Sequence, residues 1–387
     1  MVIRSVHASE KRAYFDLLWY CHPEPKPWHA LEEQHFDPDE TLVVTDEGDR
    51  IHTALQIRSF LMTYHGHSVP MGGIACVASS PDTRYQGHTG RLMEATIQRM
   101  HERGMVFSAL APFNYGFYRK YGWALSYEQM HYKVEMESLN KFLKTDYTYR
   151  MDVDHTAFMD LNNDFMAGFQ GAVLHDKALL DRNLDALRAF DQHTCMCVNP
   201  QGEPEGYCFY MKQKRGDFIV RKMVWRTVSA LKALLGFIYR HNAECNKVII
   251  IVPEHNLLTD LLDEFQGEIL HKPDMMMRVV DVKQALERRN YAADLRAQLS
   301  IHVDDPQAPW NHGTWLLTIR SGLGSAMRVD QDADASMDIK AFTQLMLGFR
   351  SAHTLWGLER IHTASAPMIH RLDEIFPSSH TYMGERF

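Results

Sequence analysis

The segment from residue 74 to residue 102 carries the clearest chemical pattern in the chain. An apolar run over residues 74–78 leads into a basic, glycine-bearing loop, and an amphipathic helix follows. Glycine lets a backbone approach a phosphate closely, and a helix N-terminus presents unpaired N–H groups and the positive end of the helix dipole. This order of elements predicts a cradle for a pyrophosphate. The loop reads Arg84-Tyr85-Gln86-Gly87-His88-Thr89-Gly90.

A phenol follows the next apolar stretch, in the segment Phe117-Tyr118-Arg119-Lys120-Tyr121-Gly122-Trp123. Acyl transfer from a coenzyme A thioester needs a grip on the pyrophosphate, a slot for the pantetheine arm and a proton donor for the leaving thiolate. The loop can supply the grip, and Tyr118 is the candidate donor. The slot would lie between strands ending near Ser79 and Ala111, provided that they splay apart. The plainer interpretations are a turn that starts a helix and a core aromatic side chain.

The elements around this pattern follow from the spacing of apolar residues. The helix after the loop carries its apolar side chains on one face, at Leu92, Met93, Thr96, Ile97 and Met100. Gly104 ends this helix, and a buried strand over residues 105–111 ends at Pro112. Upstream, the spacing predicts a helix over residues 9–20, stopped by three prolines, and strands over residues 41–45, 53–63 and 69–79.

The rest of the chain divides into two further segments. Residues 146–285 alternate helices and strands, and the methionine-rich run at 275–282 is predicted to close that segment. The last hundred residues place strands first and helices later, which is typical of an α+β domain. We therefore predict domains over residues 1–145, 146–285 and 286–387.

Composition narrows the class of protein. The chain has 387 residues and a net charge of −8, which argues against broad nucleic-acid binding. Its six cysteines are scattered without a CxxC pair, which favours free thiols in a reducing cytoplasm. No secretory signal or apolar run long enough to span a membrane is visible. The 22 histidines form no HExxH motif, so no metal centre is expected.

The loop and the tyrosine segment resemble those of the GNAT acetyltransferases, whose pattern is R/QxxGxG/A followed by FYxxxG[FW]. Thr89 stands where that family usually has glycine or alanine. The resemblance extends to the enhanced-intracellular-survival (Eis-like) branch, because residues 338–348 and 355–360 and the aromatic C-terminus resemble its third domain. It implies a fold of mixed α/β and α+β class, with two tandem GNAT-like domains, the second degenerate, and a domain like a sterol carrier protein.

The resemblance also implies roles for individual residues. Tyr118 would be the general acid, and the C-terminal carboxylate of Phe387 would enter the active site as the general base. Acetyl-CoA would be the cosubstrate, and the assembly would be a homohexamer. The implied cofactor contacts are Val77, Ala78, Ser79, Arg84, Tyr85, Gln86, Gly87, His88, Thr89, Gly90, Phe113 and Asn114.

The predicted activity is transfer of an acetyl group to a primary amine of an aminoglycoside, a polyamine or a lysine-like compound. An α-carboxyl group has a pKa of about 3.3–3.7 and an amine one of about 10, so Phe387 is a weak base and would chiefly orient an ammonium group. The alternatives are a protein-lysine acetyltransferase and a non-catalytic protein that binds acyl-CoA or lipid. Retention of both Tyr118 and the Arg84-x-x-Gly87 loop favours an enzyme. A frayed chain end is the plain interpretation of Phe387.

Overall fold

The computed structural model describes residues 1–152, 154–213, 216–262 and 267–387. Within these residues the strands form an eight-stranded, a seven-stranded and a five-stranded sheet. No described helix combines the length and the apolar character that a membrane crossing requires. All six cysteines are free thiols, as predicted.

The first part of the chain builds most of the eight-stranded sheet. Its elements are β1 (Val2–Ser5), α1 (Lys11–Cys21), α2 (Lys26–Gln34), β2 (Thr41–Thr45), β3 (Ile51–Tyr64), β4 (His67–Ser79), α3 (His88–Glu102), β5 (Phe107–Leu110), α4 (Tyr115–Arg119) and β6 (Ala124–Leu125). Helix α3 confirms the prediction from spacing, because the five residues of the predicted apolar face are all buried. Gly104 follows α3 with φ +69°, a left-handed conformation that ends a helix.

The middle of the chain builds the seven-stranded sheet. Its elements are β7 (Glu128–Glu135), β8 (Thr148–Arg150), α5 (His155–Met166), β9 (Val173–Leu174), α6 (Lys177–Ala189), β10 (His193–Val198), β11 (Pro204–Lys212), β12 (Phe218–Trp225), α7 (Val228–Tyr239), β13 (Lys247–Pro253), α8 (Leu258–Leu261), β14 (Gly267–Pro273), β15 (Met276–Val279) and α9 (Val282–Glu287). The strand order in this sheet is β14-β7-β13-β12-β11-β10-β8. Strands β7 and β14, whose sequences are largely polar, were not expected from the pattern.

The last part of the chain forms the five-stranded sheet and its helices. Its elements are β16 (Ala297–Asp304), β17 (Gly313–Arg320), β18 (Leu323–Val329), β19 (Ala335–Asp338), α10 (Ile339–Leu347), α11 (Ala352–Gly357), β20 (Ile361–His362) and α12 (Ala366–Ile375). The order of strands before helices confirms the α+β pattern. Helix α12 begins at an Ala-Pro pair and was missed, although proline is favoured at a helix start.

Two strands of the middle segment lie in the first sheet, whose order is β1-β2-β3-β4-β5-β15-β6 with β9 paired to β3. The expectation that the methionine-rich run closes the second segment is therefore wrong. Met276 of β15 lies opposite Leu110 of β5, and the run is buried in the eight-stranded sheet. An apolar pattern predicts that a strand is buried but does not name its partner. The sheets exchange strands across the predicted boundary at 145, because β7 lies in the second sheet while β9 and β15 lie in the first. The boundaries at 145 and 285 stay a prediction.

The first and third sheets share one hydrophobic core, which runs from Met71 and Phe107 through Met277 to Phe342 of α10. A buried ion pair crosses the same contact, where a guanidinium nitrogen of Arg278 lies 2.6 Å from a carboxylate oxygen of Asp305. The C-terminal unit is therefore fixed against the sheet that carries the loop.

Candidate active site

The loop before α3 leaves a helix N-terminus open. Gly87 immediately precedes α3 with φ +80°, a conformation that side chains other than glycine rarely adopt. Among the hydrogen bonds of the described residues, none is donated by the backbone N–H groups of residues 85–90. Tyr85 and Gln86 are exposed. The loop can therefore offer several N–H donors and the helix dipole to phosphate oxygens.

The aromatic segment packs directly on this loop. A Cβ added to Gly90 would lie 2.7 Å from the hydroxyl oxygen of Tyr121, so that position accepts glycine and little else. Arg84 donates from Nε to the carbonyl oxygen of Ser79 at 3.3 Å, which ties the loop to the end of β4. Thr89 is half-buried, whereas the buried His88 contacts the Gln86 side chain through Nε2 at 3.2 Å.

Strand β4 is bulged just before the loop. Ala54 of β3 pairs with Ala78, whereas Gln56 pairs with Ala75, so Cys76 and Val77 lie in the bulge. Cys76 has φ +55°. Burial raises the pKa of its thiol to about 12, which keeps the sulfur protonated and supports a packing role rather than a nucleophilic one.

Strand β4 extends beyond its neighbour β5. Their parallel pairing runs from Met71 opposite Phe107 to Ile74 opposite Leu110, where β5 ends, while β4 continues to Ser79. Residues 75–79 have no partner on β5, so a chain of amides could lie along this edge of β4. The expected splay between the two strands stays a prediction.

Tyr118 packs near the last pair between β4 and β5. It belongs to α4, is 2% exposed and packs in the core cluster that contains Ile74 and Leu110. The rings of Phe113 and Phe117 contact its ring edge to face. Its hydroxyl makes no hydrogen bond to any residue that the structure describes, and burial raises the pKa of the phenol well above its ordinary value. A neutral phenol without a partner can donate its proton to a ligand.

Phe113 and Asn114 have different positions in the same connection. The Phe113 side chain is 72% exposed. Asn114 instead caps α4, because its Oδ1 accepts a hydrogen bond from the Phe117 N–H at 3.0 Å. The cap fixes the turn that carries Tyr118. This structural role accounts for an asparagine at position 114 without any contact to a ligand.

The C-terminal residue returns to the same strand. The ring of Phe387 packs against that of Phe60, with 4.7 Å between centroids. A Cβ added to Gly73 would lie 2.6 Å from the Phe387 ring, so glycine is what allows the chain end to rest on β4. Gly73 neighbours Ile74, the last β4 residue paired with β5. Successive residues of a strand face opposite sides of the sheet, so Phe387 on Gly73 and Tyr118 in the cluster of Ile74 belong to different hydrophobic clusters. A catalytic role for the Phe387 carboxylate therefore stays a prediction.

A cavity of about 600 Å³ opens beside the Phe387 side chain. Both signs of charge line it. Two of its arginines pair with the buried Glu32 carboxylate. The distance from a guanidinium nitrogen to a Glu32 oxygen is 2.6 Å for Arg58 and 2.7 Å for Arg182. Burial raises the pKa of Glu40, which accepts the Ser59 N–H at 3.2 Å. The charged residues of the lining are Asp37, Glu40, Arg58, Arg103, Asp176, Arg182, Glu385 and Arg386.

Asp274 is a buried acidic residue near the end of β5 that the sequence pattern did not reveal. It stands two residues before Met276, which pairs with Leu110 at the end of β5. Its Oδ1 is buried and has no hydrogen-bond partner among the described residues, and burial raises the pKa of the carboxyl group. The positive charge of Arg386 acts on it in the opposite direction. A buried carboxylate oxygen without a donor can accept an ammonium hydrogen.

Glu385 is the second residue that was missed, two positions before the chain end. Its carboxylate lies 2.6 Å from Nζ of Lys222 in β12, contacts Nε2 of His175, and accepts from the Asn183 amide at 3.0 Å. Burial raises the pKa of Glu385, but the charge of Lys222 and the hydrogen bonds from His175 and Lys222 outweigh burial and hold it far below its ordinary value. The partners are spread over the middle segment, so no local pattern could indicate them.

Comparison with known families defines the class. Residues 2–126 and residues 171–279 each match an acetyltransferase (GNAT) domain, and residues 282–384 match a sterol carrier protein domain. The chain therefore belongs to the GNAT acetyltransferases and has the Eis-like arrangement of two GNAT domains and a C-terminal sterol-carrier domain. This family uses an acyl-CoA cosubstrate, and the open loop and the edge of β4 beyond β5 fit its pyrophosphate and its pantetheine amides.

Relatives share this arrangement over most of their length. N-acetyltransferase Eis of Mycobacterium tuberculosis is 22% identical over 331 residues, which is 80% of this chain and 79% of that protein. The structure of a probable N-acyltransferase from Enterococcus faecalis superposes with a TM-score of 0.90 at 26% identity, covering 100% of this chain and 99% of the other. Eis1 of Mycobacterium abscessus superposes with a TM-score of 0.81 at 17% identity, and both chains are covered completely.

Proposed function

We propose that the chain transfers an acetyl group from acetyl-CoA to a primary amine by direct attack. The observation that carries this proposal is the buried Tyr118 phenol, which has no hydrogen-bond partner among the described residues and packs in the core cluster of Leu110 at the end of β5. Acetyl-CoA supplies the activated thioester. In this proposal the N–H groups of residues 85–90 and the Arg84 guanidinium bind its pyrophosphate, residues 77–79 bind the pantetheine amides, and Phe113 covers the arm.

The reaction forms one C–N bond and breaks one C–S bond. The amine nitrogen attacks the thioester carbonyl carbon, and the C–S electron pair leaves with the sulfur. Tyr118 donates its hydroxyl proton to that thiolate. The raised pKa keeps the phenol protonated until the thiolate develops. An ammonium substrate first loses one proton, because only the neutral amine can attack, and the proton that the nitrogen loses after the attack restores the Tyr118 hydroxyl.

Two carboxylates can receive or orient the amine. An α-carboxyl group with a pKa of about 3.3–3.7 is a poor base for an amine, so the Phe387 carboxylate acts chiefly by attracting and orienting the ammonium form. Asp274 has a raised pKa, so it is the better proton acceptor of the two. A cavity beside Phe387 favours a small amine such as a polyamine, an aminoglycoside or a lysine-like compound over a lysine on a protein surface.

Release of free thiol from acetyl-CoA, measured against a panel of amines, tests the proposal. Tyr118→Phe should lower kcat by about a hundredfold and leave the affinity for acetyl-CoA near normal, because the ring still packs while the acid is lost. Tyr210→Phe, which removes a buried phenol in the second sheet, is the matched control and should leave kcat unchanged. Loss of acetyl-CoA binding in Tyr118→Phe would make Tyr118 a structural residue.

Lack of thiol release with every amine, combined with tight binding of acetyl-CoA, would favour the non-catalytic alternative. We also propose a homohexamer, on the strength of the family resemblance. Light scattering coupled to size-exclusion chromatography measures the assembly mass directly.

A further inference from the structure

The last residues of the chain lie against the middle segment before they reach the first sheet. The backbone of Gln170 donates to His380 and that of Val173 to Met383, at 2.8 and 3.0 Å. A Cβ on Gly384 would lie 2.3 Å from the methyl carbon of Met166 at the end of α5. The chain end is thus bound along its length, and its path is set by the middle segment.

The strongest attachment is the buried ion network of Glu385. The side chains of Lys222 and Glu385 are each 9% exposed, and that of His175 is fully buried. Burial lowers the pKa of His175 most, and the positive charge of Lys222 lowers it further, so the ring is neutral. The network therefore holds one ammonium group and one carboxylate. A buried ion pair adds little stability on its own, but removing one partner leaves an uncompensated buried charge. Such a pair therefore defines where Glu385 can lie.

The position of Glu385 limits the position of the reactive group. Two residues of chain span at most about 7 Å, so anchoring Glu385 confines Phe387 to a small volume. Within that volume the ring of Phe387 lies on Gly73 and Phe60 of the first sheet. The ends of the tail are therefore held by two different sheets.

We propose that Glu385 is a positioning residue for acyl transfer, and that Lys222 and His175 of the second GNAT-like domain clamp it so that the C-terminal carboxylate stays in the active site of the first. This proposal rests on the function proposed above for Phe387. It gives the second domain a part in the reaction without a catalytic residue of its own.

Three variants test the clamp: Glu385→Gln, Lys222→Met and the double variant that carries both. Each single variant should lower kcat at least about tenfold with little change in the KM for acetyl-CoA, because a displacement of about 1 Å can cost that much. A carboxypeptidase that removes aromatic C-terminal residues should release Phe387 faster from each single variant than from the parent chain. The double variant leaves no unpaired charge and should recover part of the loss.

Lys212→Met is the matched control. Lys212 also pairs with a carboxylate in the second sheet, at 2.6 Å from Glu244, but this pair is far more exposed. Neither kcat nor release of Phe387 should change in this variant. Should a single variant fail to fold, Asn183→Ala removes one neutral hydrogen bond to Glu385 and should give a smaller change in the same direction.

The release assay separates this inference from the proposed function. Faster release of Phe387 with unchanged kcat would retain the clamp and reject the role of the C-terminal carboxylate. Unchanged release and unchanged kcat in Glu385→Gln, with normal thermal stability, would overturn the clamp itself.

Discussion

The first and second sheets each contain one parallel strand pair, β4 with β5 and β12 with β13. The two sheets differ in the connection from the first strand of the pair to the helix that follows it. In the first, residues 80–87 join β4 to α3, and Gly87 leaves the helix N-terminus open. In the second, residues 226–227 alone join β12 to α7, and Thr227 Oγ1 accepts the Ala230 N–H at 3.1 Å. A short, side-chain-capped connection cannot surround a pyrophosphate. The comparison supports the proposal that the cosubstrate binds at the first sheet.

The second sheet nevertheless has a similar unpaired stretch in its parallel pair. Pairing of β12 with β13 stops at Val220 opposite Ile250, and β12 continues to Trp225. Lys222 lies two residues beyond the last pair with β13, on a part of β12 that pairs only with β11. In the first sheet β4 likewise continues beyond its last pair with the parallel strand β5. The second sheet thus uses this part of its strand for the ion pair with Glu385.

The largest expected effect comes from moving the C-terminal carboxylate. One alanine added after Phe387 should lower kcat by at least about a hundredfold, because the charge no longer meets the ammonium at the right distance. The KM for acetyl-CoA should stay within about twofold, since the loop is untouched. Normal turnover of every accepted amine by the extended chain would reject a role for this carboxylate.

A smaller effect is expected from closing the open helix end. Gly87→Ala has room for the added methyl group, since nothing lies within 4 Å, but it must adopt φ +80°. The strain costs about 1–2 kcal/mol and should shift the loop, raising the KM for acetyl-CoA several-fold. Thermal unfolding and steady-state kinetics measure both effects. A KM equal to that of the parent chain would place the pyrophosphate elsewhere.

The matching change in the second sheet should affect stability alone. Thr227→Ala removes the cap of α7 and should lower the free energy of unfolding by about 1 kcal/mol. Acetyl-CoA binding, measured by calorimetry, should not change. A loss of binding here would mean that the second sheet also holds cosubstrate.

The smallest effect concerns acid stability. Glu385 has a pKa held below its ordinary value of 4.5, so its contribution is fully present above that pH and is lost as the pH falls toward the folded-state pKa. Between about pH 5 and pH 3 the parent chain should lose more thermal stability than the Lys222→Met/Glu385→Gln variant. Parallel curves for the two chains would show that the network is not ionised as described.

Local patterns predicted α3 and strands β2 to β5, whereas β1, α2 and β9 were missed. The burial of one face of α3 and the loop ending in Gly87 and Gly90 follow from the spacing of neighbouring residues. These features depend on interactions within a few turns of chain, which a sequence displays directly. The chemistry assigned to the loop and to Tyr118 stays a prediction.

Tertiary structure alone decided which distant residues meet. An apolar strand such as β15 could pair in any buried sheet. Its sequence therefore could not show that β15 pairs with β5 and brings Asp274 near the end of that strand. The pairing of Glu385 with Lys222 joins positions 163 residues apart, and opposite charges at such a separation have many possible partners. Sequence thus determined the loop, the phenol and the family, whereas packing between the sheets decided where the chain end and its carboxylate lie.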